Sequence, residues 1–200
     1  MRTIVITGPS GSGKTYLSNK LSKLFKNSII IKTDSYYRDN LYIKLLSIFI
    51  YDIYDRFISI KDKCLIKTIN SIYNKDDYLT FYNYDFRNKL SSQLKRQVQY
   101  QNKNNFIILE GIFAHRLDID YEKTITILCN EEKEICYQRR LIRDKIERGR
   151  SIKEVNRKFS LSWNIYYKNL AKFLNSNNVI PINTFDKTSL RKLIYKLQSL

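Results

Sequence analysis

The sequence predicts an α/β fold in which a parallel five-stranded sheet carries helices on both faces. Five short apolar runs, rich in β-branched residues, predict the strands at 3–7, 28–33, 105–111, 124–129 and 178–182. Helical patterns separate several of these runs, which favours parallel strands joined by crossover helices. A glycine-rich octapeptide at 8–15 directly follows the first run. Because ligands of such sheets bind at the carboxyl ends of strands, this edge is the expected position of a site.

The octapeptide, GPSGSGKT, has the spacing of the phosphate-binding P-loop and makes the predicted fold P-loop NTPase-type. Its glycines allow a turn in which successive N–H groups point into one concavity, which suits a polyphosphate. A glycine-rich turn that matches by chance is the alternative. The strand before the loop and the helical spacing of Leu17, Leu21 and Leu24 after it argue against that alternative. The residues predicted to bind ATP in this loop are Gly8, Pro9, Ser10, Gly11, Ser12, Gly13, Lys14 and Thr15.

Length and composition limit the other choices. A chain of 200 residues suits one domain, 1–200, and a hydrophobic content of 43% argues against disorder. The longest apolar stretch is interrupted by Lys44 and Asp52, so no membrane span is expected. The predicted strand and loop leave no room for an N-terminal signal peptide, and the three cysteines have no CxxC spacing. We therefore expect a reduced, cytoplasmic protein.

The net charge of +17 has two explanations. One is attraction to phosphate-rich partners, either nucleotides or nucleic acid. The other is compositional bias, because the chain is crowded with Lys, Asn, Ile and Tyr and its lysines are scattered. We favour the bias and expect no nucleic-acid partner, while the sequence leaves a homo-oligomer open.

The stretch 35–104 is too long for one crossover between strands and holds much of the aromatic content. We expect helices and a lid-like or hairpin insertion there, on the acceptor side of the site.

Two carboxylates end predicted strands. Asp34 follows the second run, where it could accept a proton from an attacking hydroxyl and orient Mg²⁺. A helix N-cap is the alternative for this residue. Glu110 ends the third run, and a buried carboxylate is costly, which favours metal or water coordination.

The segment 135–154 predicts a basic helix with Asn130 as its N-cap and an apolar stripe at Ile135, Ile142 and Ile146. Another face would carry Arg140, Arg143 and, if the helix continues past Gly149, Arg150. Arginine suits phosphoryl transfer because its fork binds two oxygens. We expect an arginine-rich lid at about 139–160, with a solvated basic helix as the alternative.

Several of these segments match one family in order: GPSGSGKT, DSYYR (34–38), YDF (84–86), LEGIFA (109–114) and RRLIRDKIERGR (139–150). Together they resemble the uridine kinase and phosphoribulokinase branch of P-loop kinases over about residues 2–185. The resemblance implies ATP-dependent phosphoryl transfer to the 5′-hydroxyl of a nucleoside, uridine or cytidine by default, with Mg²⁺ as cofactor.

The resemblance also implies roles for single residues. Lys14 and Thr15 would hold the ATP phosphates and Mg²⁺, Asp34 would be the general base on the ribose 5′-hydroxyl, and Glu110 would assist the metal. The arginines that would close over substrate and phosphates are Arg140, Arg143, Arg148 and Arg150.

On the acceptor side, YDIYDRF (51–57) looks like a weakened form of the family's FDHPDAF stretch, so Asp52 would grip the ribose hydroxyls. Tyr84 would flank the base and Tyr37 would line the sugar pocket. Lys89 stands where the family's uridine kinases carry a base-contacting histidine. The single histidine, His115, is interpreted as a loop residue.

Two other functions are left open. One is a kinase of the same family that acts on another sugar-like or pantothenate-like acceptor. The other is a catalytically impaired nucleotide-binding or nucleic-acid-associated protein. Retention of Lys14, Thr15, Asp34 and Glu110 argues against the second, because a protein without turnover does not need all four.

Overall fold

A computed structural model describes residues 2–100, 106–120, 124–174 and 179–198. The strands in these ranges are β1 (Arg2–Thr7), β2 (Ile29–Lys32), β3 (Tyr78–Asp85), β4 (Leu90–Gln97), β5 (Phe106–Glu110), β6 (Thr124–Cys129) and β7 (Val179–Ile182). The helices are α1 (Lys14–Leu24), α2 (Leu41–Phe49), α3 (Asp62–Tyr73), α4 (Lys133–Arg148), α5 (Ile152–Leu174) and α6 (Lys187–Gln198).

Five parallel strands form the main sheet in the order β2-β5-β1-β6-β7. The five predicted strands and the P-loop NTPase-type α/β fold are confirmed. Residues 105 and 178, which began two of the predicted runs, lie outside the described residues. Because β5 and β6 flank β1, the chain segments that follow these three strands leave the sheet at one edge.

Both faces of the sheet are covered, and successive residues of β1 point to opposite faces. Ile4 and Ile6 pack in one apolar cluster with residues of α1 and α6, such as Leu17 and Leu190. Val5 belongs to the cluster on the other face, together with residues of α3. Burial on both faces explains why the strands read as continuous apolar runs.

The insertion contains α2, α3 and an antiparallel hairpin of β3 and β4, in which Tyr78 pairs with Gln97 and Asp85 with Leu90. Thr68 of α3 joins the hairpin to the rest of the insertion, because its hydroxyl donates to the Thr80 carbonyl at 2.9 Å. The predicted combination of helices and a hairpin is therefore present, although the predicted end at 101–104 lies outside the described residues.

Helix α4 differs from the prediction at both ends. Its N-cap is Glu132 rather than Asn130, and the helix stops at Arg148 because Gly149 takes a left-handed conformation (φ 63°) as the C-cap.

The apolar stripe predicted for α4 is also wrong. Ile142 and Ile146 are 61% and 69% exposed, and the buried residues of the helix are Cys136, Arg140 and Asp144. The helix buries its charged side because Arg140 and Asp144 pair with each other and with neighbouring polar groups.

The described helices include none that combines the length and the apolar character needed to cross a membrane. Cys64, Cys129 and Cys136 are free thiols.

Close packing behind the strand ends gives a first prediction. A Cβ at Gly111, directly after β5, would lie 1.7 Å from Thr33 Oγ1. We expect Gly111→Ala to lower the free energy of unfolding by roughly 3 kcal/mol or more, from overlap and backbone strain together. Denaturant unfolding measures this change.

Gly149→Ala is the matched control. A Cβ there meets no atom within 4 Å, so only the left-handed backbone is penalised, by roughly 1–2 kcal/mol. Equal losses in the two variants would contradict the packing argument.

Candidate active site

The loop at 8–15 joins the carboxyl end of β1 to α1 and depends on its glycines. Gly11 and Gly13 both have φ of 91°, a conformation that side chains disfavour. A Cβ at Gly11 would also lie 2.2 Å from the Cys136 carbonyl oxygen of α4. The loop therefore lies directly against the arginine-bearing helix.

Lys14 crosses the concavity of this loop. Its Nζ donates to the carbonyls of Gly8 and Pro9, both at 2.9 Å. Burial lowers the pKa of the Lys14 ammonium, while the charges of Asp34 and Glu110 act in the opposite direction. The ammonium is thus held by two loop carbonyls, in a cavity that Asp34 and Glu110 also line, at the position where a P-loop binds a polyphosphate.

Asp34 lies within the 3₁₀ turn Thr33–Tyr36 that follows β2. The N-cap of this turn is Lys32, and it makes no side-chain capping bond, so the N-cap alternative for Asp34 is wrong. Thr33 Oγ1 is 3.4 Å from Asp34 Oδ1. The Asp34 carboxylate and Lys14 line the same cavity, which is described below.

Glu110 ends β5 and is buried. Its Oε1 accepts from Thr15 Oγ1 at 3.2 Å, and burial raises the pKa of this carboxyl against the opposing effect of Lys14. Its Oε2 is buried without a hydrogen-bond partner among the described residues. The Glu110 carboxylate, the Thr15 hydroxyl and the Asp34 carboxylate all line the same cavity. Mg²⁺ prefers oxygen ligands of this kind, so these three residues could hold the ion.

The larger cavity has a volume of about 370 Å³ and is lined by P-loop residues, both carboxylates and arginines of α4. A second cavity of about 260 Å³ adjoins it and has aromatic walls. Six residues line both cavities: Tyr37, Asp55, Tyr84, Phe86, Arg140 and Arg148.

Four arginines of the predicted lid converge on one buried carboxylate, that of Asp144. They are Arg140, Arg143, Arg148 and Arg150. Arg140 is only 5% exposed and Asp144 is inaccessible, so this is not a solvated basic helix. Burial, with the charge of Arg143, lowers the pKa of Arg148 to about 10, which leaves its guanidinium charged at neutral pH.

All of the predicted acceptor residues except Asp52 line the second cavity. Tyr37 is buried and its ring lies 5.3 Å from Tyr84 and 5.7 Å from Phe86. Lys89 lies in the β3–β4 turn with φ of 54°, and its Nζ is 5.7 Å from the ring centre of Tyr54. Tyr37, Tyr84 and Lys89 are therefore brought together.

Asp52 is not with them. Its Oδ2 accepts from Arg56 at 2.9 Å, and it lines neither cavity. The carboxylate that lines both cavities is Asp55, three residues later, because the 3₁₀ turn Ile53–Asp55 directs it inward. We therefore propose Asp55 in place of Asp52 as the carboxylate of the acceptor cavity. Burial raises the pKa of Asp55, with Arg140 opposing.

Other cavity residues were missed by the sequence reasoning. Arg139 lines the larger cavity and lies over the Phe185 ring at 3.9 Å, and Lys158 of α5 lines the smaller one. Arg139 is visible in the arginine-rich segment, whereas no local pattern marks Lys158.

His115 is buried in a 3₁₀ turn, with Nδ1 2.8 Å from Thr7 Oγ1. Burial lowers the pKa of His115 to about 4, so its ring is neutral at physiological pH.

A P-loop, two strand-end carboxylates and an arginine cluster at one sheet edge define a P-loop kinase. The chain belongs to the Phosphoribulokinase / Uridine kinase family, whose model matches residues 3–181. It is accordingly a phosphotransferase.

Curated relatives carry the name uridine kinase. That of Clostridium novyi (strain NT) is 30% identical over 161 residues, which cover 78% of this chain and 74% of the relative. That of Ureaplasma parvum serovar 3 is 30% identical over 156 residues, with coverages of 76% and 73%.

Solved structures share the fold at low identity. Deoxyadenosine kinase from M. mycoides, solved with bound dATP, has a TM-score of 0.55 at 14% identity and covers 99% of this chain and 100% of its own. A possible uridine kinase from Bacillus stearothermophilus has a TM-score of 0.54 at 14% identity, with coverages of 90% and 88%.

The two aspartates of 51–57 give a direct test of the geometry. We expect Asp55→Asn to lower phosphotransferase kcat/KM for the acceptor at least about tenfold, because the carboxylate that lines both cavities loses its charge. Asp52→Asn should stay within about twofold, because Asp52 lines neither cavity and its ion-pair partner Arg56 is half exposed. Steady-state kinetics on both variants measures this difference, and a larger loss at Asp52 would reverse the assignment.

Proposed function

We propose that this protein transfers the γ-phosphoryl group of ATP to the 5′-hydroxyl of a pyrimidine nucleoside. The observation that carries the proposal is the junction of two cavities: one lined by the P-loop, Asp34 and arginines, the other by aromatic rings. The uridine kinase relatives support the choice of a nucleoside.

The P-loop N–H groups and Lys14 bind the phosphates of ATP. Thr15, Asp34 and Glu110 would hold Mg²⁺, which neutralises phosphate charge when it is bound. The unsatisfied Oε2 of Glu110 supports this assignment.

Asp34 accepts the proton of the 5′-hydroxyl as the hydroxyl oxygen attacks the γ-phosphorus. The bond from phosphorus to the bridging oxygen breaks, and ADP leaves with that electron pair. Arg140, Arg143 and Arg148 line the same cavity, where they stabilise the charge of the transferring group.

The acceptor lies in the second cavity. Tyr37 and Tyr84 flank the sugar and base, and Asp55 accepts hydrogen bonds from the ribose hydroxyls. Lys89 at the hairpin turn donates to the edge of the base.

A second acceptor class is favoured by charge. Five cationic side chains line the second cavity, against Asp55 and Glu154; they are Lys89, Arg140, Arg148, Arg150 and Lys158. A sugar-like or pantothenate-like acceptor with an anionic group would suit this excess.

A coupled assay of ADP release with ATP and Mg²⁺ tests the proposal. The acceptors are uridine, cytidine, adenosine, ribose and pantothenate. We expect uridine to be the best acceptor. Turnover of pantothenate with none of the nucleosides would favour the second class, and no turnover with any of these acceptors would refute both acceptor assignments.

Asp34→Asn tests the general base. The substitution keeps shape and hydrogen bonding but loses proton acceptance, so kcat should fall by roughly 10²–10⁴. ATP affinity, measured by calorimetry without Mg²⁺, should change little because the P-loop and Lys14 bind the phosphates. Unimpaired kcat in the variant would rule out this role.

Lys89 gives a prediction on specificity. Lysine offers only donors, whereas a neutral histidine offers a donor and an acceptor. Uridine, with its O4 carbonyl, should therefore have a higher kcat/KM than cytidine, with its N4 amine. Lys89→His should bring the kcat/KM values of uridine and cytidine closer together. Histidine is among the residues that tolerate the positive φ of this turn, so the backbone should accept the substitution. Cytidine equal to uridine in the wild type would contradict the argument.

A further inference from the structure

Asp144 is the buried centre of the arginine cluster. Its Oδ1 accepts from Nε and Nη2 of Arg143 at 3.0 and 2.9 Å, and Arg148 Nε lies 3.6 Å away. Its Oδ2 accepts from Arg150 Nη1 at 2.7 Å and from Arg140 Nε at 3.5 Å. Burial alone would raise the pKa of Asp144, but Arg148, Arg143 and Arg140 outweigh it and lower the pKa, so the carboxylate is ionised.

Asp144 is joined by Glu154, 3.9 Å from Arg150, and by Asp55 near Arg140, so three carboxylates face four guanidinium groups. The cluster keeps an excess of positive charge, and each arginine has N–H groups that its contact with Asp144 does not use. Arg148, for example, approaches Asp144 through Nε at 3.6 Å, and the same side chain lines both cavities. The excess charge is therefore available to an anion in the cavities.

Asp144 lies behind the arginines. All four arginines line one or both cavities, whereas Asp144 lines neither and is inaccessible to solvent. It therefore does not touch a substrate, and any effect on the reaction passes through the arginines.

The cluster also joins the two sides of the site. Arg143 Nη2 donates to Asp144 and to Ser10 Oγ of the P-loop at 3.0 Å. Arg148 lies 4.0 Å above the Phe86 ring at the end of the acceptor hairpin. The main chain contributes too, because the Asp144 carbonyl accepts from Arg150 N at 3.1 Å and so turns Arg150 back into the cluster.

We propose that Asp144 is a positioning residue that orients Arg140, Arg143, Arg148 and Arg150 for neutralising the phosphoryl group during its transfer. The inference rests on the phosphotransfer proposed above. It predicts a loss in the chemical step without a comparable loss in ATP binding, because Lys14 and the P-loop amides bind the ground-state phosphates.

Asp144→Asn is the test, since it keeps the shape and removes the charge. We expect kcat to fall roughly 10- to 100-fold, the range for a displacement of catalytic groups by up to 1 Å. KM for ATP should stay within about threefold, because interactions made only in the transition state affect kcat.

An acceptor-independent readout separates this inference from the proposed function. ADP with Mg²⁺ and aluminium fluoride mimics the transferring phosphoryl group, and calorimetry measures its affinity without any nucleoside. The variant should bind this mixture roughly 10-fold or more weakly, while its affinity for ADP alone is kept. Wild type without nucleoside turnover would refute the proposed function, whereas a variant that binds the mimic like wild type would refute the role of Asp144.

Two further variants complete the design. Asp62→Asn removes the carboxylate of another Arg–Asp pair, Arg38–Asp62 at 3.0 Å, which lies outside both cavities, and should leave kcat unchanged. If Asp144→Asn does not fold, Asp144→Glu decides, because it keeps the charge but displaces it. We expect reduced kcat with unchanged KM for ATP in this variant, and wild-type kcat would overturn the proposal. A parallel loss of kcat and ATP affinity in either Asp144 variant would also overturn it.

Discussion

Buried charge at one edge of the sheet is the constraint on which the rest of the site depends. The strand order β2-β5-β1-β6-β7 brings the P-loop, Asp34 and Glu110 to this edge, and α4 adds its arginines. Charges that leave water need partners. Lys14 finds them in two loop carbonyls, and the arginines find theirs in Asp144. The carbonyls do not neutralise Lys14, and Asp144 does not neutralise all four arginines, so this edge of the sheet keeps a net positive charge. That charge suits the binding of a polyphosphate.

Close packing couples these charges to one another. The Gly11 position leaves no space for a side chain, because the Cys136 carbonyl of α4 lies against it. The Gly111 position also leaves no space for a side chain, because the side chain of Thr33, which precedes Asp34, lies against it. Gly11 thus allows the P-loop to approach α4, and Gly111 allows the end of β5 to approach the turn that carries Asp34. The positions of the phosphate-binding loop, the carboxylate and the arginines are therefore not independent.

The sequence predicted the features that have a local physical signature. Strands buried on both faces appear as apolar runs, and the P-loop needs glycines at fixed spacing, so both were predictable. Features set by tertiary context were not. In 51–57 two aspartates lie three residues apart, and the sequence does not reveal that Asp55, at the end of a 3₁₀ turn, lines the cavities while Asp52 does not. In α4 the isoleucines suggested an inward apolar stripe, whereas the pairing of Arg140 with Asp144 buries the opposite residues.

A different contact joins the acceptor side of the site to the arginine-bearing helix. Arg87, at the turn of the β3–β4 hairpin, donates to the carbonyls of Ile146 and Glu147 at 3.1 and 2.7 Å. These belong to the last turn of α4, whose carbonyls have no partners within the helix. A cation at a helix C-terminus is also favoured by the helix dipole. The hairpin that carries Tyr84 and Lys89 is thereby fixed to the helix that carries Arg143 and Arg148, so a shift of either element moves the acceptor walls relative to the arginines.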